Sequence, residues 1–505
     1  MPSSRVPSDV VPSGADQPDA GRSDTELPAA EVGGFARRSA IGFAVVVLGA
    51  LLLALAVHLA AQPLLQVDQQ VAGSLNTVVA PRPWLVTTLQ VLTAPGAAIT
   101  AWIVLSTLTV ALLIRRRFRL AVYVAVTGLG TAVLSPLIKQ LVDRLRPIVD
   151  MPVATAGGPS FPSGHTLAVT VWVGVVLLVL LPVVPPHRRR LVVAIGVALV
   201  LVVGLTRIAL GVHFVSDVLA GWLVGAGWLL VTATAFRAWR RHEGSAVPPA
   251  VDGLAPEIAG DLDHAPERRP THPWTIVAQL LVAAVLLCGA VVGVGLLLVH
   301  VAAGTAFERA DVGVVAWLAE HRVPWLDTVS ATLAELGNTK VIVAGGLVAA
   351  VLAFVITRRW RPALVIATVL VGEVLIFVLS SVIVDRPRPP VPHLDAALPP
   401  TSSFPSGHAA AATCLYGAIA ALVLRGTRAW WRWLVLAAAV AVVVAVGFAR
   451  LYRGAHHPTD VLGSVLFAIP WLLIVLRLVG DGADIQPGHA APARAEAVEG
   501  AGVRR

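Results

Sequence analysis

The chain is punctuated by apolar runs of about 18 to 25 residues, the length a helix needs to cross the hydrocarbon core of a bilayer. In lipid every backbone N–H and C=O must find its partner within the segment, so such runs fold as helices. Twelve candidate spans follow, near 40–61, 97–114, 119–140, 165–185, 191–210 and 214–236, then 274–300, 339–357, 362–384, 407–424, 431–449 and 458–479. Composition agrees: 57% of residues are hydrophobic and 13% charged, too few charges to cover a soluble protein of this length. The expected fold is all-α, a polytopic membrane protein of two tandem six-helix units. Cys288 and Cys414 both lie inside apolar runs and read as packing residues rather than a disulfide framework. There is no CxxC and no His-rich tract to suggest a structural metal site, and no cofactor is expected.

Polar segments divide the chain. Residues 1–35 and 480–505 read as disordered tails, and 242–273 as a Pro-rich linker between membrane domains at 36–241 and 274–479. The first apolar run starts near residue 40, unlike a typical signal peptide. Between the first two spans of each half lies a short stretch with apolar residues at helical spacing. In the first half it carries Val67, Val71, Leu75 and Val78, followed by Trp84, which suits either an interfacial helix or an ordered loop.

The net charge of +9 comes from 38 Lys and Arg against 29 Asp and Glu. These arginines sit in short clusters between apolar runs, which points to membrane topology and not to nucleic acid. Arg37 and Arg38, Arg115–Arg117 with Arg119, Arg188–Arg190, and Arg237, Arg240 and Arg241 all fall on one side if the spans are as given. Arg358, Arg359 and Arg361, then Arg425, Arg428 and Arg432, then Arg477 repeat the pattern. The positive-inside rule makes that side cytoplasmic, with both termini and the linker inside a cell-membrane protein.

The halves are an internal repeat. Asp143-Arg144-Leu145-Arg146-Pro147 corresponds to Asp385-Arg386-Pro387-Arg388-Pro389 at an offset of 242. Phe161-Pro162-Ser163-Gly164-His165 corresponds to Phe404-Pro405-Ser406-Gly407-His408 at 243, and Arg207, His213 and Asp217 to Arg450, His456 and Asp460, again at 243. Six spans per unit is an even number, so both copies face the same way.

These motifs fall at helix ends that converge on the outer face. Ionisable groups there are costly unless paired or near water, so a functional placement is expected. Lys139, Arg146 and Arg207 bring three cations together, and a clustered trio suits a multiply charged anion such as phosphate. Pro162 pre-sets a helix start whose N–H groups bind anion oxygens, and Gly164 lets that backbone come close. His213 and Asp217 are four residues apart, hence on one helix face, and the carboxylate can orient the imidazole and stabilise its cation. His165 arrives from another helix and could protonate a leaving oxygen.

Lys-x6-Arg-Pro at 139–147, Pro-Ser-Gly-His at 162–165 and Arg-x5-His-x3-Asp at 207–217 resemble the three signature motifs of the type 2 phosphatidic acid phosphatase family, whose superfamily includes the vanadium haloperoxidases. The resemblance covers roughly 64–236 and 307–479, departing only slightly at Thr206, where Ser is commoner. It implies that His213 is the nucleophile and forms a phosphohistidine, that His165 is the general acid, and that Lys139, Arg146, Arg207, Ser163 and Gly164 bind phosphate without a metal. The substrate it implies is a phosphorylated membrane lipid, such as undecaprenyl diphosphate or a phosphatidate-like lipid, met at the outer face.

The second copy keeps Arg388, Ser406, Gly407, His408, Arg450, His456 and Asp460, but Ser381 takes the place of Lys139. Losing one such donor costs roughly 10²–10³ in rate, which leaves that copy either slow, retuned with Arg386 as a stand-in charge, or a lipid-phosphate-binding domain. Arg144 and Arg386 otherwise read as loop or phosphate-rim residues. His58 and His300 read as interfacial, His457 as a helix cap, and Glu373 as a protonated carboxyl bonded to a neighbouring helix. Two other classes compete. A lipid transporter would also have two parallel halves of this size, but transporter sites lie near the midplane. A vanadate-dependent peroxidase would use the same pocket, but those relatives are soluble.

Overall fold

The computed structural model describes residues 62–242, 253–261, 273–395, 398 and 402–480, with parts of 48–59. Every regular element among the described residues is a helix. The first half comprises α1 (Gln62–Val79), α2 (Pro83–Thr93), α3 (Ala98–Ile114), α4 (Phe118–Val142), α5 (Gly164–Leu180), α6 (Pro186–Ala209) and α7 (Val215–His242). A short α8 (Ile258–Asp261) lies in the linker. The second half repeats the order with α9 (Pro273–His300), α10 (Ala306–Glu320), α11 (Pro324–Glu335), α12 (Thr339–Thr357), α13 (Trp360–Val384), α14 (Gly407–Gly426), α15 (Arg432–Tyr452) and α16 (Pro458–Leu478). Eleven helices among the described residues are long and apolar enough to span a membrane, counting α2 and α3 as one across the turn Ala94–Gly96. They cover eleven of the twelve expected spans. The remaining one, 40–61, lies largely outside the described residues, as does His58.

Helix ends form where local chemistry stops them. α4 and α13 both end on an aspartate in the left-handed region, Asp143 at φ 42° and Asp385 at φ 45°, whose N–H returns to the carbonyls of Lys139 and Ser381. After α6 and α15 the chain turns at Gly211 (φ 71°) and Gly454 (φ 78°), a backbone conformation glycine adopts without steric cost. Each turn delivers the next helix two residues after a histidine.

Small residues let the helices approach, as membrane packing requires. Trp228 of α7 lies over Gly130 of α4 and donates Nε1–H to Thr127 O at 2.8 Å. Trp471 lies over Gly372 in the same way and donates to Val369 O at 3.0 Å. Gly221 of α7 sits so close to α5 that a β-carbon would come within 2.9 Å of Ser163 O.

The segments before α3 and α12 are helical. α1 turns Asp68, Ala72, Asn76 and Val79 inward and leaves Val67 and Val78 exposed, with Trp84 of α2 also exposed. The linker is less loose than its Pro content suggests. Leu254, Ala255 and Ile258 are buried in the core of the first half, Leu254 N–H bonds Leu178 O at 2.9 Å, and Glu257 pairs with Arg240. Residues 243–252 and 262–272 of that linker lie outside the described residues. α3 and α12 join the two halves.

Candidate active site

At one end of the first half, four helix ends meet: the last turn of α4, the start of α5, the end of α6 and the start of α7. The arginine clusters 115–117, 188–190 and 240–241 lie at the opposite ends of these helices. His213 precedes α7 and is 2% exposed. Its Nδ1 faces Asp217 Oδ2 at 3.3 Å, and the same oxygen accepts the Phe214 N–H at 3.0 Å. With Nδ1–H directed at the carboxylate, the lone pair lies on Nε2. Arg146 Nη1 is 3.3 Å from that Nε2, held there by bonds to the carbonyls of Val212, Gly158 and Gly157. Burial pulls the His213 imidazole down to about 4, against the hydrogen bond and charge of Asp217, which pull it up. The ring is therefore neutral near pH 7.

The other expected residues surround this pair. Lys139 Nζ donates to Pro159 O at 2.6 Å. Ser163 caps α5, its N–H on Asp217 O at 2.9 Å and its hydroxyl accepting from Thr166. Gly164 lies against Ser135 Oγ and Lys139. Arg207, 7% exposed, donates to Thr93 at 3.3 Å, while its buried Nε has no protein partner. Lys139, Arg146, Arg207 and His213 all stand near enough to His165 to act on it electrostatically. His165 also borders an apolar cavity of about 340 Å³ between α3, α4 and α5, lined by Gly128, Thr131, Ala132, Ser135 and Trp102 among others.

The second half assembles the same positions with altered contacts. His456 Nδ1 is 2.7 Å from Ser403 O, while Asp460 Oδ2 is 3.7 Å away and bonded to Ser403 Oγ and the His457 N–H. Arg388 bonds Ala455 O at 2.8 Å, and Ser406 Oγ is buried without a protein partner. Ser381 bonds back to Val378 O within α13. Phe377, at the position of Ser135, presses on Gly407 where a β-carbon would lie 2.9 Å from its ring. Arg450 is paired with Asp395 at 2.9 Å, and Arg453, where the first half has Leu210, grips the same carboxylate at 2.7 Å. Burial would raise the Asp395 carboxyl, but the bonds and charges of Arg453 and Arg450 hold it below its usual range.

Arg144 and Arg386 lie in the loops after α4 and α13, but turned inward to buried carboxylates and not to a phosphate rim. Arg144 donates to Asp217 Oδ1 and Asp68 Oδ2, both at 2.8 Å, and stacks over Phe214. Arg386 donates to Asp460 Oδ1 at 2.5 Å and to Asp311 Oδ2 at 2.8 Å. The reason is electrostatic: a guanidinium beside two buried carboxylates gains more from bridging them than from solvent. Arg386 is thereby turned to Asp460 and Asp311 and does not replace Lys139. Asp68, Asp311 and Asp395 were missed in the sequence. Asp68 and Asp311 carried one usable signal, the repeat offset of 243. His457 is the N-cap of α16, His300 is exposed at the end of α9, and Glu373 is buried in α13 within electrostatic reach of Cys414. Among the described residues no group of three or more His, Cys, Asp or Glu stands close enough to hold a metal ion.

Comparison with known proteins finds the PAP2 superfamily at residues 116–241 and again at 362–483. A stretch of 95 residues is 37% identical to phosphatidylglycerophosphatase B of Bacillus subtilis (strain 168), covering 18% of this chain and 46% of that protein, so the match spans about half the relative's length. A solved structure, the first transmembrane PAP2 type phosphatidylglycerolphosphate phosphatase from Bacillus subtilis, aligns with 42% of this chain and 97% of its own at 24% identity and a TM-score of 0.33.

Proposed function

The chain belongs, in both of its halves, to the PAP2 superfamily, and we propose that its first half hydrolyses the terminal phosphate of a membrane lipid, at the outer membrane face, through a phosphohistidine. His213 Nε2 would attack phosphorus while the P–O bond to the lipid or to its inner phosphate breaks. His165 would give its proton to the departing oxygen. Water would then attack the phosphohistidine, His165 taking the water proton, to release inorganic phosphate and free His213. Lys139, Arg146 and Arg207, with the N–H groups at the start of α5, would hold the three equatorial oxygens over which the charge of the transferring group is spread, and fix them in line with the attacking nitrogen. Asp217 would stabilise the cationic ring as the bond forms.

One observation carries this: a buried neutral histidine with its Nδ1 on Asp217 and its Nε2 3.3 Å from Arg146. A phosphoryl group bound to that arginine sits at attacking distance from Nε2. Lipid phosphates of the kinds named by the relatives, phosphatidylglycerophosphate above all, and lipid diphosphates share this terminal group. The apolar cavity beside His165 offers room for the lipid chain next to the head group. The arginine clusters at the opposite helix ends support the outward orientation.

Phosphate release from a panel of lipid phosphates tests the proposal, comparing the parent with His213→Ala and His456→Ala. His213→Ala is expected to remove nearly all turnover, and His456→Ala to cost little. Retained turnover in His213→Ala with loss in His456→Ala reverses the ranking of the two halves. The second half as a weak binding domain is favoured by one specific contact, the Asp395 carboxylate on Arg450 at 2.9 Å, since that arginine is then neutralised where a phosphate would need it.

A further inference from the structure

Behind His213 runs a chain of three charged groups. Asp217 accepts from Arg144 Nη1, and Arg144 Nη2 reaches Asp68 of α1. Asp68 is 1% exposed and Asp217 fully buried. Asp68 also accepts the Ser216 N–H at 3.0 Å and the Ser216 hydroxyl. The second half repeats the chain from different neighbours: Asp460, Arg386 and Asp311, with Thr459 donating N–H to Asp311 at 3.1 Å and its hydroxyl at 2.6 Å. Burying a carboxylate costs several kcal/mol before its partners offset it, so its recurrence at the same place in both halves needs a reason.

Charge counting supplies one. Arg144 and Asp217 alone would form a neutral pair, and the guanidinium would draw the carboxylate's charge away from the histidine. With Asp68 on its far side, Arg144 is shared, and the trio carries a net charge of −1 toward His213. A histidine that becomes cationic when phosphorylated is then stabilised more than by a neutral pair. Asp68 at the same time caps the first turn of α7, which fixes Asp217 below the ring.

We propose that Asp68, by sharing Arg144, is a positioning residue that leaves the charge of Asp217 facing His213 and fixes its place against the ring, an inference that rests on His213 being the nucleophile. Asp68→Asn keeps the shape and the acceptor for Ser216 but removes the charge. It is expected to lower kcat on the order of 10- to 100-fold, the size seen when an outer orienting partner is removed, with KM within about threefold of the parent. Asp68→Glu should recover much of that loss. In an Asp217→Asn background the same Asp68→Asn change should cost under about threefold, because its route to the ring is already cut. Ser216→Ala removes the hydroxyl's contacts to Asp68 and to Arg144 Nη1 without changing charge, and should stay within about threefold of the parent because the charge of Asp68 is kept.

Folded recovery in detergent is checked by gel filtration for each protein. If Asp68→Asn is poorly recovered, the cycle is run with Asp68→Ser, which also removes the charge and is expected to couple to Asp217→Asn in the same direction. The proposal is overturned if the Asp68 change costs as much in the Asp217→Asn background as in the parent. It is also overturned if the loss appears in KM alone, or if Ser216→Ala matches it. If His213→Ala itself stays active, the nucleophile assignment fails first, whatever Asp68 does.

Discussion

At the scale of single residues, the two halves differ by a few side chains with large chemical weight. Ser381 lacks the cation of Lys139, and Asp395 neutralises Arg450. Either change alone should slow phosphoryl transfer, so repair needs both. In a His213→Ala background, Ser381→Lys combined with Asp395→Asn is expected to raise phosphate release on the order of 10²-fold, the worth of one transition-state donor, and Ser381→Lys alone to give much less. Equal gains from the single and double changes would show that Asp395 does not matter. A second prediction concerns pH. Burial holds His213 near 4, with the opposing pull of Asp217 and the like charges of Arg146 and Arg207 included. A lowered value means the ring stays neutral, and able to attack, as pH falls through 6. Once the ionisation of the substrate phosphate is accounted for, the acid limb of kcat/KM should therefore lie near 4 to 5 and not near the ordinary histidine value of about 6.5. A limb near 6.5 that the ionisation of the substrate does not account for would contradict this.

At the scale of helices, the site depends on how closely α5 and α7 approach, because His165 rides on one and Asp217 on the other. Gly221 marks the contact, where a β-carbon would come 2.9 Å from both Ser163 O and the Thr166 side chain. The second half has Ser464 there, and its hydroxyl donates to Ser406 O at 2.8 Å. Gly221→Ala adds bulk and no donor, so it should push the helices apart and cut kcat about tenfold or more, with strain of roughly 1–3 kcal/mol. Gly221→Ser should be milder, since its hydroxyl can repeat the bond of Ser464. Activity assays with melting curves in detergent check this, and an alanine variant better than the serine one would contradict it. Motif-bearing helices were legible because the same three polar motifs recur in both halves at offsets of 242 and 243. α1 was legible as an amphipathic stretch, but its inward face was not. A single aspartate in an amphipathic helix has no spacing to mark it, and only its pairing with Arg144 in three dimensions gives it meaning. Asp395 lay still further from reach, in a loop whose length differs between the halves. The packing of Leu254, Ala255 and Ile258 onto the first half is not legible in the linker, since three apolar residues amid prolines show no period.

At the scale of the whole molecule, the proposed orientation puts both sites on the outer face, opposite the arginine clusters. Cysteines placed in the 148–160 loop, with Cys288 and Cys414 first replaced, should react with an impermeant thiol reagent on intact cells, and cysteines at Arg115–Arg119 should resist it. The reverse pattern would move the sites to the cytoplasm and remove an external lipid as substrate. The central claim is that His213 takes the phosphoryl group. Rapid acid-free quench of the parent with a ³²P-labelled lipid phosphate, followed by peptide mapping, addresses it directly. The expected result is base-stable, acid-labile phosphate on the peptide containing His213, formed within one turnover, chased by water and missing in His213→Ala. Turnover at full rate with no phosphate on that histidine, or with phosphate held only on the peptide containing His456, would contradict it.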